Sequence, residues 1–419
     1  MRHFLIFGTH PRLSLAEFRS VKPQTISPLL IGNAAIVEDH KWDGKELMRK
    51  LGGTVKLGDI IATIPTSELE GELLTSHFTP LLTVPQGGGQ GGGVRSVSRG
   101  WVRGGVLNFG LTVFGSKAFS KLPIAFKRAL KSRSIASRWV TGKEGTEISP
   151  AAVAKLKLTT DGIDFCIFIE KDLVHIGKTT HVQDADAWSL RDYGRPSRDA
   201  IAGMLPPKLA RMMVNLASLP RTKGEGMEGV VLDPFCGSGT ILMEAALATD
   251  AVRIIGSDRD AEQISDTRNN IRWLVTNNIL NSNDEQRIET FVSDVRELSR
   301  HLTASSINCV VTEGMLGPPL NGNESRATLE RNAKKIIELW IATLTALKPL
   351  LTSQARVVGI WPAFKTTGGV ARVDLEPHLA SLGYQLGDPF EDWDVPTGPL
   401  LYHRIGQKVM RRIVLLRPI

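Results

Sequence analysis

The stretch Val230–Thr240 reads V-V-L-D-P-F-C-G-S-G-T. An apolar run of strand length ends at Asp233, a turn contains Gly237 and Gly239, and the following T-I-L-M-E-A-A-L-A predicts a helix. A second apolar run then ends at Asp258. Strand, glycine turn, helix, strand and acid in this order are typical of an α/β nucleoside site. Glycines let the backbone approach the ligand, and the later acid accepts hydrogen bonds from ribose hydroxyls.

The turn differs from the fingerprint of dinucleotide-binding proteins, G-x-G-x-x-G, in which the third glycine brings the helix and strand close together. Here it reads D-P-F-C-G-S-G-T, and an acid, Asp233, precedes the glycines. A carboxylate at this position favours a cationic ligand, such as the sulfonium or amino group of S-adenosylmethionine. The alternative is an ordinary α/β turn without a ligand. We therefore predict an S-adenosylmethionine site.

The rest of residues 229–419 continues the alternation of strands and helices. Predicted strands are Ile288–Val292, Ile307–Thr312, Ala355–Trp361 and Gln407–Leu416, and predicted helices are Ala261–Asn270, Leu329–Leu347 and Leu375–Leu382. This alternation predicts a mainly parallel sheet with ligands at the carboxyl ends of its strands. Asp233, Asp258, Asp294 and Glu313 each follow such an end, so we expect them to line one cleft.

The N-terminal half shows two successive α+β patterns. In residues 1–72 a strand at Phe4–Phe7 precedes a helix that we expect to begin at Ser14, with Glu17 completing a capping box. Residues 73–183 repeat the layout, and 184–228 form a connector with an amphipathic helix at Pro207–Ala217. The predicted domains are thus 1–72, 73–183 with a glycine-rich loop at 86–105, the connector 184–228, and 229–419.

The charge distribution suggests a polyanionic partner. The 419 residues carry a formal net charge of +8, and no Asp or Glu occurs between Leu73 and Lys143. A solvated surface normally mixes both signs, so phosphates are the expected counterions. The glycine-rich loop itself is interpreted as a flexible loop rather than a dedicated RNA-binding tail. The candidate RNA-binding residues are Arg95, Arg99, Arg103, Lys127, Arg128, Lys131 and Arg133.

Cysteine usage and hydropathy indicate the compartment. Cys166, Cys236 and Cys309 lie far apart without a C-x-x-C pair, which argues against a metal site or a disulfide framework. The opening apolar run is too short for a signal peptide, and no run approaches the roughly 20 residues of a membrane helix. We expect a soluble cytoplasmic protein that binds no membrane; the sequence leaves its oligomeric state open, and we favour a monomer.

Taken together, the motifs resemble those of the THUMP-domain RNA methyltransferases, and most closely the archaeal and eukaryotic enzymes that methylate N2 of guanosine 10 in tRNA. The resemblance rests on D-P-F-C-G-S-G-T with the preceding helix P-K-L-A-R-M-M-V-N-L-A, and extends over nearly the whole chain. Weaker matches are Leu13–Glu17, Leu130–Ser134, Ile148–Val153, Thr179–Asp184 and Gly194–Pro196.

This resemblance implies a Rossmann-like class I methyltransferase domain behind ferredoxin-like and THUMP-like modules that hold tRNA. It also implies S-adenosylmethionine as the methyl donor. Asp233, Gly237 and Gly239 would surround its methionine half, Asp258 its ribose and Asp294 its adenine amino group. The full set of implied cofactor residues is Asp233, Pro234, Cys236, Gly237, Gly239, Thr240, Asp258, Arg259, Asp294 and Val295.

The sequence departs from the family at the catalytic loop, where the family has Asp or Asn, two prolines and an aromatic residue. Here the strand ending at Thr312 continues as Glu313-Gly-Met-Leu-Gly317, so Glu313 takes the place of the acid, with Gly314 and Leu316 beside it. An offset alternative, Gly317-Pro-Pro-Leu320, recovers the prolines but not the acid. Trp361 is either a substitute for the missing aromatic face or, as we favour, a core residue.

Three functions remain open at this point. The leading hypothesis is a tRNA (guanine-N2) methyltransferase, with Glu313 accepting hydrogen bonds from the target amine. The second is a protein that binds S-adenosylmethionine and RNA but whose catalytic loop has decayed. The third is a methyltransferase for an amino group of another nucleic acid, such as DNA, which the THUMP-like region disfavours.

Overall fold

A computed structural model describes residues 1–69, 106–116, 121–132, 134–142, 147–198, 204–218, 229–321, 323–366, 369–404 and 406–419. The glycine-rich loop, with Arg95, Arg99 and Arg103, lies outside these ranges, as does Arg133. The chain divides into two compact units. The first comprises Met1–Pro11, Thr25–Arg49 and Thr54–Asp186, and the second comprises Arg12–Gln24, Lys50–Gly53 and Ala187–Ile419.

The helices are numbered in chain order over the described residues. They are α1 (Pro11–Val21), α2 (Gly44–Lys50), α3 (Leu122–Ser132), α4 (Pro150–Lys155), α5 (Ala185–Tyr193), α6 (Pro207–Ala217), α7 (Thr240–Ala248), α8 (Ala261–Thr276), α9 (Ser282–Glu285), α10 (Arg326–Leu347) and α11 (Glu376–Leu379). Short 3-10 helices occur at Thr66–Leu69, Val295–Arg300 and Lys348–Leu350. In the described part of the chain, no helix is both long and apolar enough to cross a membrane.

The first unit is built on a mixed sheet. Its strands are β1 (Arg2–Phe7), β2 (Leu29–Ile31), β3 (Ala34–Glu38), β4 (Thr54–Pro65), β5 (Leu107–Phe114), β6 (Ser137–Val140), β7 (Ile163–Glu170) and β8 (Leu173–Val182). They follow the order β2-β3-β1-β4-β8-β7-β5-β6. The long antiparallel pairing of β4 with β8 joins the two α+β patterns of the sequence in one sheet. The predicted domains 1–72 and 73–183 thus both contribute strands to this sheet, and the boundary between them lies outside the described residues.

The N-terminal helix α1 differs from the sequence-based expectation. It begins at Pro11 instead of Ser14, because proline is well suited to a first helical turn, where its missing N–H costs nothing. Ser14 and Glu17 are both buried inside the helix, so they form no capping box. Ser14 Oγ donates to the Gly53 carbonyl (3.1 Å) within the second unit. The predicted N-cap is therefore wrong.

The second unit contains the predicted, mainly parallel sheet. Its strands are β9 (Val230–Asp233), β10 (Arg253–Asp258), β11 (Ile288–Val292), β12 (Ile307–Thr312), β13 (Leu351–Thr366), β14 (Gly369–Arg372), β15 (Tyr384–Leu386), β16 (Leu400–Tyr402) and β17 (Val409–Pro418). The main path is β11-β10-β9-β12-β13-β17-β15, with β14 on β13 and β16 on β17. The neighbours from β11 to β13 are parallel, whereas β17 is antiparallel to both β13 and β15.

Helix α10 provides much of the core on one side of this sheet. Its apolar positions recur at helical spacing and bury Ile336, Trp340 and Leu344 among strand residues. Trp361 and Phe364 of β13 belong to the same cluster and are fully buried. Trp361 is thus a core aromatic, as favoured from the sequence, and is unable to offer a stacking face to a ligand.

Candidate active site

The glycine turn between β9 and α7 has the backbone geometry that the motif requires. Gly237 (φ +49°) and Gly239 (φ +86°) both lie in the left-handed region. A Cβ on Gly239 would lie only 2.9 Å from the Thr267 side chain on α8. Thr267 Oγ1 in turn donates to the Gly237 carbonyl (2.6 Å), so α8 holds the turn in place.

Asp233, at the carboxyl end of β9, is the buried acid of this turn. Its side chain accepts hydrogen bonds from Thr312 Oγ1 (2.8 Å) and from the Phe235 N–H (3.1 Å). Burial raises the pKa of Asp233 to about 7, and these hydrogen bonds offset only part of the effect. Both donors are neutral, so a cationic ligand would supply a charge that the carboxylate lacks. Asp233 therefore fits the sulfonium or ammonium group of S-adenosylmethionine.

Asp233 borders a cavity of about 890 Å³ that lies within the second unit. Four short segments and one helix residue form its walls. They are Met204–Leu205, residues of the 233–241 turn, Gln263 on α8, the loop Glu313–Leu320 and residues of 406–411. The catalytic candidates Glu313, Gly314 and Leu316 therefore share one cavity with the glycine turn. The offset alternative Gly317–Leu320 lines the same cavity.

Glu313 follows β12 directly and is paired with an arginine that the sequence analysis did not identify. Arg411 of β17 donates from Nε to Glu313 Oε1 at 2.6 Å. The side chain of Glu313 is only 13% exposed, and that of Arg411 only 5%. Burial raises the pKa of Glu313, and the Arg411 guanidinium partly offsets this. One signal was available: Arg411 and Arg412 are consecutive cations between apolar residues of the predicted strand, so one of the two side chains faces the core side of the sheet and requires a partner.

The cavity contains one aromatic side chain from the motif itself. Phe235, in D-P-F-C, is half-buried and lines the cavity, which the sequence analysis did not anticipate. Met315 of the catalytic loop also lines it and is 45% exposed. Phe235 and Met315 are therefore among the apolar surfaces that the cavity offers to a planar ligand.

The predicted cofactor residues divide into two groups. Asp233, Cys236, Gly237 and Thr240 line the cavity, whereas Pro234, Gly239, Asp258, Arg259, Asp294 and Val295 do not border it. Among the cavity residues, Cys236 is buried, and burial raises the pKa of its thiol. Of the four acids at strand ends, Asp233 and Glu313 thus share this cavity, and the expectation that all four line one cleft stays a prediction.

The two other acids are occupied by their own loops. Asp258 accepts from the N–H groups of Gly237 (3.1 Å) and Asp260 (3.0 Å). Asp294 accepts three hydrogen bonds from Arg296, which lower the pKa of its carboxyl group to about 2. Beside these acids, Arg259 is exposed and Val295 is buried in the core. Roles of Asp258 and Asp294 toward ribose and adenine stay predictions.

The predicted connector contributes to the site through helix α7. Arg195 donates to Thr240 Oγ1 at the start of α7. Arg191, on α5, and Arg211, on α6, both bind the buried Glu244 carboxylate at 2.7 Å. The sequence indicated neither α5 nor this network, because the partners are separated by many residues along the chain.

The described part of the predicted RNA-binding set lies on α3, in the first unit. Leu122, Phe126 and Leu130 are buried on the inner side of the helix. We call its exposed cationic side the basic face of α3; its members are Lys127, Arg128 and Lys131.

The order of strands, the glycine turn and the buried acid at the end of β9 define a Rossmann-like class I methyltransferase domain. Residues 195–313 match the family model UPF0020, described as an RMKL-like methyltransferase domain. This match implies S-adenosylmethionine as the cofactor, as predicted. It begins at Arg195 and ends at Glu313, so it includes the glycine turn and Glu313 but not the cavity residues of 314–320 and 406–411.

Particular relatives have the name that the sequence resemblance suggested. The chain is 30% identical over 208 residues to the tRNA (guanine(10)-N2)-dimethyltransferase of Methanocaldococcus jannaschii, which covers 48% of this chain and 54% of the relative. It is 44% identical over 70 residues to the Methanothermobacter thermautotrophicus protein of the same name, covering 17% of this chain and 18% of that one. The chain thus spans about half or less of these relatives' lengths.

A solved structure supports the fold over the full length. TrmN from Thermus thermophilus superposes with a TM-score of 0.53 at 15% identity, covering 100% of both chains. The predicted fold class, a Rossmann-like methyltransferase domain preceded by α+β modules, is confirmed. The sequence-based resemblance to RNA methyltransferases is confirmed by the matches to the two archaeal proteins.

Proposed function

We propose that the protein is an S-adenosylmethionine-dependent RNA methyltransferase that modifies N2 of a guanosine in tRNA, position 10 by analogy with the relatives. The observation that carries the proposal is that Glu313 and Asp233 line one cavity. The name of both archaeal relatives and the basic face of α3 add support for tRNA. We further propose a cytoplasmic location and an RNA-binding role for residues 73–183 as a THUMP-like module.

The chemistry proposed for the site uses the two acids differently. S-adenosylmethionine, when bound, supplies an electrophilic methyl group. Asp233 attracts its cationic part from a buried position, where charge interactions are strong. Glu313 Oε2 accepts a hydrogen bond from the exocyclic amine, whose lone pair is otherwise delocalised into the base. Accepting that bond raises the electron density on nitrogen, and Glu313 also offers a site for the proton that the amine must lose.

The test is methyl transfer from labelled S-adenosylmethionine to an unmodified tRNA transcript. The matched control transcript has inosine in place of guanosine 10, and so lacks only the N2 amine. Label on the guanosine transcript and none on the inosine transcript is the expected result. Glu313→Gln should lower kcat/KM about a hundredfold or more, because it removes the anionic acceptor, while leaving the affinity for S-adenosylmethionine within about twofold. No label on tRNA or ribosomal RNA pools would contradict the proposal.

A second candidate function is a protein that binds S-adenosylmethionine and RNA without turnover. The ion pair between Glu313 and Arg411 favours it, since Arg411 already occupies one carboxylate oxygen. Both ligands binding to a parent protein that never transfers a methyl group would establish this function. Turnover that is lost in Glu313→Gln with both affinities retained would exclude it.

A further inference from the structure

Arg411 has more hydrogen-bonding capacity than its ion pair uses. A guanidinium carries five N–H donors. The Nε donor binds Glu313, and in the described part of the chain the side-chain hydrogen bonds of Arg411 include no other partner. Arg411 is only 4% exposed, yet it lines the cavity. A buried cation with unused donors at a cavity wall is prepared to bind a ligand that offers an acceptor.

The strand fixes Arg411 in this position. β17 lies between β13 and β16, and Arg411 pairs with Pro362 on one side and Tyr402 on the other. The next residue, Arg412, binds Glu376, as expected for a side chain on the opposite face of a strand. Because ladder pairings hold the backbone on both sides, the guanidinium is positioned before any ligand arrives.

The pair presents a defined order of hydrogen-bonding groups to the cavity. Oε2 of Glu313 is an acceptor, Oε1 has a second lone pair beside the one that Arg411 uses, and the guanidinium is a donor. The Watson–Crick edge of guanine has the complementary order: N2–H and N1–H donate, and O6 accepts. Adenine and cytosine also carry an amine, but the adjacent ring nitrogen (N1 or N3) is an acceptor, which would face Oε1.

We propose that Arg411 and Glu313 recognise the target guanine together: Arg411 donates to O6 while Glu313 accepts from N1–H and N2–H. This inference rests on the proposed function and adds Arg411 as the donor to O6. A base with an acceptor next to its amine would place two lone pairs opposite each other at Oε1. Such a mismatch at a buried site costs about 1 to 3 kcal/mol, which corresponds to roughly 5- to 150-fold in kcat/KM.

2-Aminopurine tests the proposed contacts of Arg411 and Glu313 with guanine, because it keeps the N2 amine but has an acceptor at N1 and no O6. Two tRNA transcripts, with guanosine or 2-aminopurine at position 10, are compared by kcat/KM. The parent protein should prefer guanosine by about tenfold or more. In Arg411→Met, which has similar length but no donor, the preference should fall about fivefold or more below that of the parent, because only the mismatch at Oε1 remains. Arg412→Met, one residue away on the opposite face, should keep the parental preference.

Each result has a defined meaning. An unchanged preference in Arg411→Met, with parental binding of S-adenosylmethionine as proof of folding, overturns the inference and leaves the proposed function standing. If that variant does not fold, a transcript with 6-thioguanosine at position 10 replaces it, because this base keeps N1–H and N2–H but has sulfur, a weak acceptor, in place of O6. The parent should then modify it about fivefold or more slowly than guanosine, and equal rates on the two overturn the inference. A parent protein that modifies neither transcript contradicts the proposed function, and it thereby also contradicts the proposed recognition of guanine.

Discussion

Glu17 should make the stability of the second unit depend on pH. Its carboxylate is fully buried in α1 and accepts hydrogen bonds from the N–H groups of Gly52 (2.7 Å) and Gly53 (2.9 Å) and from Asn215 Nδ2 (2.7 Å). Burial nevertheless dominates and raises its pKa from 4.5 to about 7. Because the pKa is higher in the folded than in the unfolded state, Glu17 stabilises the fold fully below about pH 4.5. This contribution is lost as the pH rises through 7.

The size of the effect follows from the shift. Raising the pKa from 4.5 to about 7 amounts to about 3 kcal/mol between the protonation states, of which about 2 to 3 kcal/mol fall between pH 5 and pH 8. Glu17→Gln is neutral at every pH and keeps one acceptor oxygen. The free energy of unfolding of the parent minus that of this variant should therefore decrease by about 2 to 3 kcal/mol from pH 5 to pH 8.

Equilibrium urea unfolding at pH 5, 6, 7 and 8 measures this difference, in which other titrating groups cancel. Glu338→Gln, on the exposed side of α10, is the matched control for removing a glutamate charge. A parent-minus-variant difference that stays constant within about 0.5 kcal/mol over this range would refute the assignment of a raised pKa to Glu17.

Two further predictions concern ligands. Since burial raises the pKa of Asp233 to about 7, and a cationic ligand prefers the ionised form, the affinity for S-adenosylmethionine should rise about tenfold from pH 6 to pH 8. Calorimetry should show that Asp233→Asn removes this dependence, and an affinity that falls with pH would contradict it. Replacing the three lysine and arginine residues of the basic face of α3 with glutamate should weaken tRNA binding and reduce the slope of log Kd against log salt. If filter binding gives the same slope for this variant as for the parent, the basic face of α3 does not contact tRNA.

Local signals in the sequence were sufficient for the cofactor motif and for most elements around it. The glycine turn, its strand and its helix all lie within Val230–Ala248, so their pattern is visible in one short window. Two predicted strands coincide with observed ones: Ile288–Val292 is β11, and Ile307–Thr312 is β12. Helix Leu375–Leu382 was too long, because only Glu376–Leu379 is helical.

What the sequence did not reveal are the pairs of buried charges. Glu313 and Arg411 lie 98 residues apart, and nothing in either local pattern indicates the other. The same holds for Arg191 and Glu244, which are separated by 53 residues. The carboxylate of Glu17 was interpreted as part of a helix cap because a capping box is a local pattern, whereas its actual partners are set by tertiary structure.

The hydrogen bond from Asn215 to Glu17 also bears on the order of folding. It joins residues 198 positions apart, so α1 leaves the ribosome long before α6 exists. Until then the Glu17 carboxylate has water as its partner, and its helix gains no packing from the second unit. Contacts over such separations slow folding because loop closure must precede them. Helix α1 is therefore synthesised long before the residues that complete its native surroundings.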